Sequence, residues 1–344
     1  MLRAFRWLAF LCAAWVCLAL PAQAIEPDKY LPNDTDAVVS INLQQIFNSP
    51  LVKLHYKDSL PEAFKFSPEL DKLLTGGGID PVKDLDQIIF ANGEGLYRLT
   101  KGVENGKTVY GSTGGYYALL KGRFNVAKVR GYADQLVKDK DPLVSKTHKA
   151  GAATIYELDL GKPLYVAVLD GTTIVLSSRL DPVTEALEKA TGKRKTAFKY
   201  KELAPALAKI DGKKAGGVAV LGTAAFGLDA GVKKVGNNVI ETPIKQMLNE
   251  EGIDGISASL QVTDGIALDA VVAVRGSAAA KDVAKSLGMD VTDLIDIAIR
   301  GLFKYPKLGP VAEFVKAIKV EVKDAKTVTI KSAVDAKQVA DSLK

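Results

Sequence analysis

The sequence predicts an α+β protein in which hairpins build an antiparallel sheet and helices pack on one face of that sheet. Runs of alternating apolar residues occur in adjacent pairs, and the turns between them are too short for parallel crossovers. A capped or amphipathic segment follows each pair and can cover its apolar face. The order of these elements is repeated. We therefore expect two α+β repeat lobes, at residues 25–192 and 193–344. A signal peptide is expected before them, at residues 1–24.

The first lobe begins with a strand and continues with helices. Residues 36–43 alternate between apolar and polar types as a strand does, and residues 44–55 predict a helix that is interrupted near Pro50. A further helix is expected at residues 67–74. It should end at the glycine run of residues 76–78, since glycine is common just past helix ends.

A long hairpin and a helix follow in this lobe. Its two arms are expected at residues 87–92 and 116–121, with the glycine-rich piece between them forming either a flexible tip or a smaller hairpin. Asn125 should cap the next helix through its side-chain oxygen. Asp181 is expected to cap the last helix of the lobe, with Pro182 at the first helical position. Three runs with the pattern of strands lie between these helices: residues 153–158, 164–169 and 172–177.

The second lobe repeats this order. A short helix and a strand at residues 217–222 come first, and a helix is expected at residues 242–250. Ser277 and Asp335 are expected to cap helices, and residues 291–299 continue helically. Two hairpins precede these caps, formed by residues 255–263 with 265–275 and by residues 318–323 with 327–331.

Short echoes between the halves support an internal duplication. The stretch DGTTIVLSSRLD at residues 170–181 is echoed by DAKTVTIKSAVD at residues 324–335. A Gly-Ile-Asp triplet precedes a long hairpin in each half, and Arg123 and Arg275 each lead into a capped helix. Because several features recur in one order, we interpret the chain as two copies of one unit.

The first residues predict export. Two arginines precede an apolar run at residues 7–20, which is too short to span a bilayer comfortably. Ala22 and Ala24 then frame a small-x-small cleavage site, so we expect the mature chain to begin at Ile25. Cleavage there removes both cysteines, which leaves no disulfide. The mature protein would be periplasmic or secreted, without a transmembrane segment; an uncleaved anchor is the less favoured alternative.

The charge balance is mildly basic, with a formal net charge of +6 at pH 7. Lysine supplies most of the positive charge, which is typical of a soluble surface, whereas nucleic-acid recognition tends to use arginine. One cluster stands out, GKRKTAFKYK at residues 192–201, called here the basic segment. It could contact anionic lipid or polymer, but a solvated linker is the favoured interpretation.

Candidates for catalysis and metal binding are weak. His55 and His148 have no partner at metal-ligand spacing, and no Gly-x-Ser-x-Gly, Walker or dinucleotide-binding pattern occurs. Asp84 and Asp86 could flank a cleft, but no nucleophile or base accompanies them. The acidic stretch 33–36 lacks the glycine and glutamate of a calcium loop. We expect no catalytic, cofactor-binding or metal-binding residue, so replacing Asp84, Asp86 or His148 with alanine should alter no activity.

A binding cavity for an apolar ligand is a second possibility. Small residues dominate residues 216–236, where they could line a cavity or allow close backbone approach. A buried strand followed by an irregular loop is the favoured interpretation. The low aromatic content, 7%, argues against a stacking platform for sugars or single-stranded nucleic acid.

Five segments carry a resemblance to known sequences: YLPNDTDAVVSINLQQIFNSPLVK, GIDPVKDLDQIIF, GRFNVAKVRGYADQ, HKAGAATIYELD and DGTTIVLSSRLDPVTEAL. They resemble large uncharacterised families of exported bacterial proteins, and the resemblance covers most of the chain. These motifs mark strand starts, caps and hairpins, and the families have no assigned reaction. The resemblance therefore implies export and a duplicated α+β architecture, and it carries over no functional residue.

The sequence thus favours an exported cell-envelope protein of the non-catalytic binding or structural kind, with an unknown envelope partner or self-association. The alternative is a periplasmic carrier of a lipid or other apolar ligand. A hydrolase that works with carboxylates ranks third. A carrier would be stabilised by its ligand, and an enzyme would show convergent acids with perturbed pKa values in a cleft.

Overall fold

The computed structural model describes residues 27–59, 68–93, 97–104, 107–201, 203–208, 216–222, 253–275, 280–285, 288 and 309–342. The predicted signal peptide and its cleavage site lie outside the described residues. So do the helices expected at residues 242–250 and 291–299, and the cap expected at Ser277.

The described elements include those expected from the sequence in this part of the chain, together with a strand at residues 144–150 and helices at residues 81–84 and 309–316 that were not expected. The strands of the first half are β1 (Thr35–Asn42), β2 (Leu85–Gly93), β3 (Tyr97–Glu104), β4 (Lys107–Gly114), β5 (Tyr117–Gly122), β6 (Val144–Ala150), β7 (Ala153–Asp159), β8 (Pro163–Asp170) and β9 (Thr173–Ser177). Its helices are α1 (Leu43–Asn48), α2 (Pro50–His55), α3 (Pro68–Gly77), α4 (Pro81–Asp84), α5 (Val126–Lys138) and α6 (Leu180–Ala190). The second half contributes α7 (Leu203–Ala208), β10 (Gly217–Gly222), β11 (Ile253–Val262), β12 (Ile266–Val274), α8 (Gly309–Lys316), β13 (Lys319–Asp324), β14 (Thr327–Val334) and α9 (Ala336–Ser342).

Twelve of these strands form one antiparallel sheet, in the order β13-β14-β12-β11-β10-β1-β2-β5-β9-β8-β7-β6. The remaining two, β3 and β4, pair as a smaller hairpin, which settles the alternatives for the glycine-rich piece. The two halves of the chain meet where Ala37 of β1 pairs with Leu221 of β10. The α+β class and its antiparallel sheet are confirmed. The division into two duplicated lobes stays a prediction.

Strand order is the same on both sides of this central pair. Moving outward, the first half contributes β1, β2, β5, β9 and β8, and the second half contributes β10, β11, β12, β14 and β13. In both halves a strand, a long hairpin and a shorter hairpin are therefore added in the same sequence. The first half extends its edge by two more strands, β7 and β6.

Helices cover both faces of the first half of the sheet, which corrects the expectation of one covered face. One face packs on α6 and α7 through a cluster that includes Leu119 and Val183. The other face packs on α1 and α5 through a cluster that includes Leu120 and Val129. Because successive side chains of a strand point to opposite faces, the apolar pair Leu119-Leu120 needs cover on both sides.

Predicted caps are present at two helices. Asn125 accepts a hydrogen bond of 3.0 Å from the backbone N–H of Lys128 and so caps α5. Asp335 accepts one of 2.8 Å from the N–H of Gln338, whose side chain accepts one of 3.0 Å in return. This reciprocal capping box fixes the start of α9.

The cap predicted at Asp181 is wrong. Helix α6 begins at Leu180, and its N-cap residue, Arg179, makes no side-chain capping hydrogen bond. The backbone N–H of Arg179 instead donates to Ser177 Oγ over 3.1 Å, so the chain turns into the helix directly from the end of β9. Asp181 therefore lies inside the first turn, where a negative charge still favours the helix N-terminus.

Gly122 lies at a close approach of two backbones. A Cβ atom at Gly122 would lie 1.9 Å from the carbonyl oxygen of Asp84, whereas one at Gly131, inside α5, would meet nothing within 4 Å. We expect Gly122→Ala to lower the free energy of unfolding by about 1–3 kcal/mol, because a backbone atom cannot move aside as a side chain can. Gly131→Ala, the matched control, should raise it by about 0.5–1 kcal/mol. Chemical denaturation measures both values, and equal effects would contradict the close approach.

Candidate functional site

The segment before β1, residues 27–34, lies against the face of the sheet that α6 covers; we call it the lead segment. Tyr30 and Leu31 are buried there, in the same apolar cluster as Val183 of α6. The Tyr117 hydroxyl donates a hydrogen bond of 2.6 Å to the Tyr30 carbonyl oxygen. Burial raises the pKa of the Tyr117 phenol well above its ordinary value, so this group stays a proton donor.

A buried ion pair on α6 holds the same segment. Lys189, whose side chain is 2% exposed, lies 2.8 Å from Glu185 and donates to the Leu31 carbonyl oxygen. Glu185 also accepts the backbone N–H of Asn33 over 2.8 Å. Burial lowers the pKa of Lys189, while the neighbouring Glu185 carboxylate acts in the opposite direction. Each charge is therefore compensated by the other and by the backbone of the lead segment.

A second ion pair holds the start of the lead segment. Lys121 of β5 lies 2.6 Å from Asp28, and its ammonium also donates to Thr173 Oγ1 over 3.1 Å. The same ammonium is 5.1 Å from the centre of the Tyr30 ring, within the range of a cation–π contact. The lead segment is thus held by the sheet at one end and by α6 at the other.

The basic segment runs beside the lead segment and is fixed to it by Asn33. The Ala197 N–H donates to Asn33 Oδ1 over 3.0 Å, and Asn33 Nδ2 donates to the Lys195 carbonyl oxygen over 3.3 Å. The Lys199 N–H donates to the Asn33 carbonyl oxygen over 2.7 Å. Most of the basic segment is exposed, as expected of a linker, but these hydrogen bonds show that its backbone is held in one conformation.

A surface groove of about 400 Å³ opens where these parts meet. Arg194 lies 3.4 Å from Glu185 and 3.6 Å from Glu188, and Arg179 lies 3.5 Å from Asp181. Positive and negative side chains are therefore close to one another throughout the groove. Its lining residues are Pro32, Asn33, Asp34, Arg179, Asp181, Pro182, Glu185, Arg194, Ala197 and Lys199.

The residues considered for catalysis lie in two separate places. The Asp84 carboxylate accepts the backbone N–H of Asp80 over 2.7 Å at the end of α4, and Asp86 follows on β2. His148 lies on β6, 2.7 Å from Glu157. Strand β6 is five positions from β2 in the sheet, which corresponds to about 24 Å at normal strand spacing. The structure does not bring these residues together.

The described ranges hold no group of three or more histidine, cysteine, aspartate or glutamate residues that could bind a metal ion. His55, the second histidine, ends α2, and its ring centre lies 6.4 Å from that of Tyr56. Within the residues that the structure describes, no helix is long and apolar enough to cross a membrane.

The stretch of small residues at 216–236 is described only at its start. Residues 217–222 form β10 between β1 and β11, so the strand of the favoured interpretation is present. A Cβ atom at Gly216 would lie 3.0 Å from Ile46 Cγ1, so the missing side chain allows α1 to approach. Residues 223–236 lie outside the described part.

The sequence interpretation missed the role of Glu185, Lys189 and Asn33. One signal was available: Glu185 and Lys189 are four residues apart, a spacing that predicts an ion pair between opposite charges on a helix. Asn33 gave no signal of its contact with the basic segment, because turn formation explains an asparagine at that position equally well.

The fold and this site define an antiparallel α+β protein with a charged surface groove that the lead segment, residues 27–34, helps to line. No family model matches the chain, and no curated protein matches it. Among solved structures, crystal form I of TP0453 is similar with a TM-score of 0.42 and 7% identity, over 94% of this chain and 98% of that one. A similarity this low carries no argument about function.

Proposed function

We propose that the protein is an exported component of the cell envelope that has a binding or structural role and no catalytic one. The observation that carries this proposal is the engagement of Glu185, an acid of the groove whose side chain is 13% exposed. Its carboxylate contacts Lys189, Arg194 and the N–H of Asn33. A general acid or base must exchange its proton with a substrate, whereas a carboxylate held by two cations and a backbone N–H keeps a surface in one shape.

Export is supported by the position of the predicted cleavage site. Cleavage between Ala24 and Ile25 would remove the signal peptide and leave the lead segment, residues 27–34, intact. All contacts of that segment with Lys121 and Lys189 would be kept in the mature chain. The proposed processing is therefore compatible with the folded body.

Fractionation of the native host tests the export and the partner. We expect the mature chain to begin at Ile25, to be recovered from the envelope fraction, and to cross-link there to an envelope component or to a second copy. An unprocessed chain in the cytoplasm would contradict the proposal.

Native mass spectrometry of the same material tests the carrier alternative. We expect the mass of the mature chain or of a defined oligomer, without a bound small molecule. A discrete additional mass that organic extraction removes would support the periplasmic carrier instead, because a carrier retains its ligand.

A further inference from the structure

Most basic side chains of the basic segment form no ion pair with the described part of the protein. Residues 193–201 contain five basic residues and no acidic one: Lys193, Arg194, Lys195, Lys199 and Lys201. Arg194 turns toward Glu185 and Glu188. Among the described residues, no ion pair involves Lys193, Lys195 or Lys201, and all three side chains are exposed. Their charges are therefore available to a partner.

These lysines are attached to a fixed backbone. Gly192, with a φ of 73°, ends α6, and the Lys193 N–H returns a hydrogen bond of 2.8 Å to the Glu188 carbonyl oxygen. Asn33 then holds the backbone at Lys195, as described above. Thr196 Oγ1 donates to the Lys29 carbonyl oxygen over 2.8 Å, which adds a link to the lead segment. The entropy of ordering the segment is thus lost on folding and not on binding.

We propose that the basic segment docks the protein on an anionic membrane surface. This inference rests on the proposed envelope function and names the partner of this surface. Lysine ammonium groups act as point charges, which suits a surface of many mobile headgroups, whereas recognition of a single phosphate group or of a base favours arginine forks. Phe198 and Tyr200 are half-buried and are not displayed for stacking on bases.

The docking is electrostatic and shallow. Phe198 packs against the apolar cluster under α6, with Lys189 Nζ 5.9 Å from its ring centre, so its ring points into the protein and not toward a bilayer. Each lysine near an anionic leaflet strengthens binding about fivefold. Because the Debye length falls from about 10 Å at 0.1 M salt to about 3 Å at 1 M, binding should be lost at high salt.

Vesicle sedimentation with the purified mature chain tests the inference. We expect binding to vesicles of phosphatidylcholine with phosphatidylglycerol, none to phosphatidylcholine alone, and loss of binding at high salt. The triple variant K193Q/K195Q/K201Q should bind about 100-fold more weakly, from three fivefold steps. Circular dichroism checks that each variant keeps its fold.

The matched control is K319Q/K323Q/K331Q, which removes the same charge from exposed positions on β13 and β14. These strands lie at the edge of the sheet opposite to β6 and β7. It should reduce vesicle binding much less. Equal loss in both variants, absence of binding by the unmodified chain, or binding to an anionic polymer but not to vesicles would overturn the inference. None of these results would affect the proposed function, which depends on cross-linking and processing in the native envelope.

Discussion

Leu31→Ala should lower the free energy of unfolding by about 2–5 kcal/mol. Leu31 is 0% exposed and packs in the cluster that includes Val183 and Leu207, so truncation leaves a cavity between the lead segment and two helices. The carbonyl oxygen of Leu31 accepts a hydrogen bond from the buried Lys189 ammonium. A more mobile backbone at residue 31 would weaken that hydrogen bond too. The change is measured as the shift in the midpoint of urea denaturation.

The matched control for this prediction is Leu54→Ala. Leu54 lies on α2 and is 78% exposed, so its truncation should change the free energy of unfolding by no more than about 0.5 kcal/mol. Limited proteolysis adds a second measurement, since cleavage after Lys29 should become faster in Leu31→Ala alone. Equal stability of the two variants would mean that the lead segment is not docked as described.

Glu185→Gln should lower the free energy of unfolding by about 3–5 kcal/mol. The substitution keeps the shape of the side chain but leaves the Lys189 ammonium buried without its counter-charge. Glu188→Gln is the matched control. Glu188 is a half-exposed residue of the same helix, 3.6 Å from Arg194, and an exposed pair of this kind contributes at most about 1 kcal/mol. Thermal and urea denaturation at neutral pH measure both.

The pH dependence of the Glu185→Gln variant gives this prediction a second test. Burial already lowers the pKa of Lys189 below its ordinary value of 10.5, and loss of the carboxylate should lower it further. Between the lowered pKa and 10.5, the unfolded chain binds more protons than the folded chain, so the free energy of unfolding rises with pH. The difference between wild type and variant should therefore shrink toward alkaline pH. A constant difference at every pH would show that the lost charge is not the cause.

Turns and caps were predictable because a few adjacent residues determine them. Asp170 and Gly171 indicated the hairpin of β8 and β9, and Asn125 indicated the start of α5. Strand β6 was missed, since its sequence VSKTHKA lacks an apolar alternation. An edge strand needs less apolar surface, and lysines such as Lys146 and Lys149 protect its free side from pairing with another chain.

The candidate site was less predictable because it depends on contacts between distant parts of the chain. Glu185 meets the Asn33 N–H across 152 residues, and Lys189 meets Leu31 across 158. No local pattern contains such a pair. The same limit applies to the covered faces of the sheet, because the consecutive apolar residues Leu119 and Leu120 do not reveal which helices will meet them.

The pairing of β1 with β10 affects how the chain reaches its folded state. Ala37 and Leu221 are separated by more than half of the chain, so closing this contact costs loop entropy before any interaction compensates it. We expect the pair to form late, since long-range strand pairing is slow. Until β10 arrives, the free edge of β1, with the apolar residues Val38 and Val39, can pair with a second unfolded chain. The centre of the finished sheet is thus the place where a folding intermediate is most exposed to aggregation.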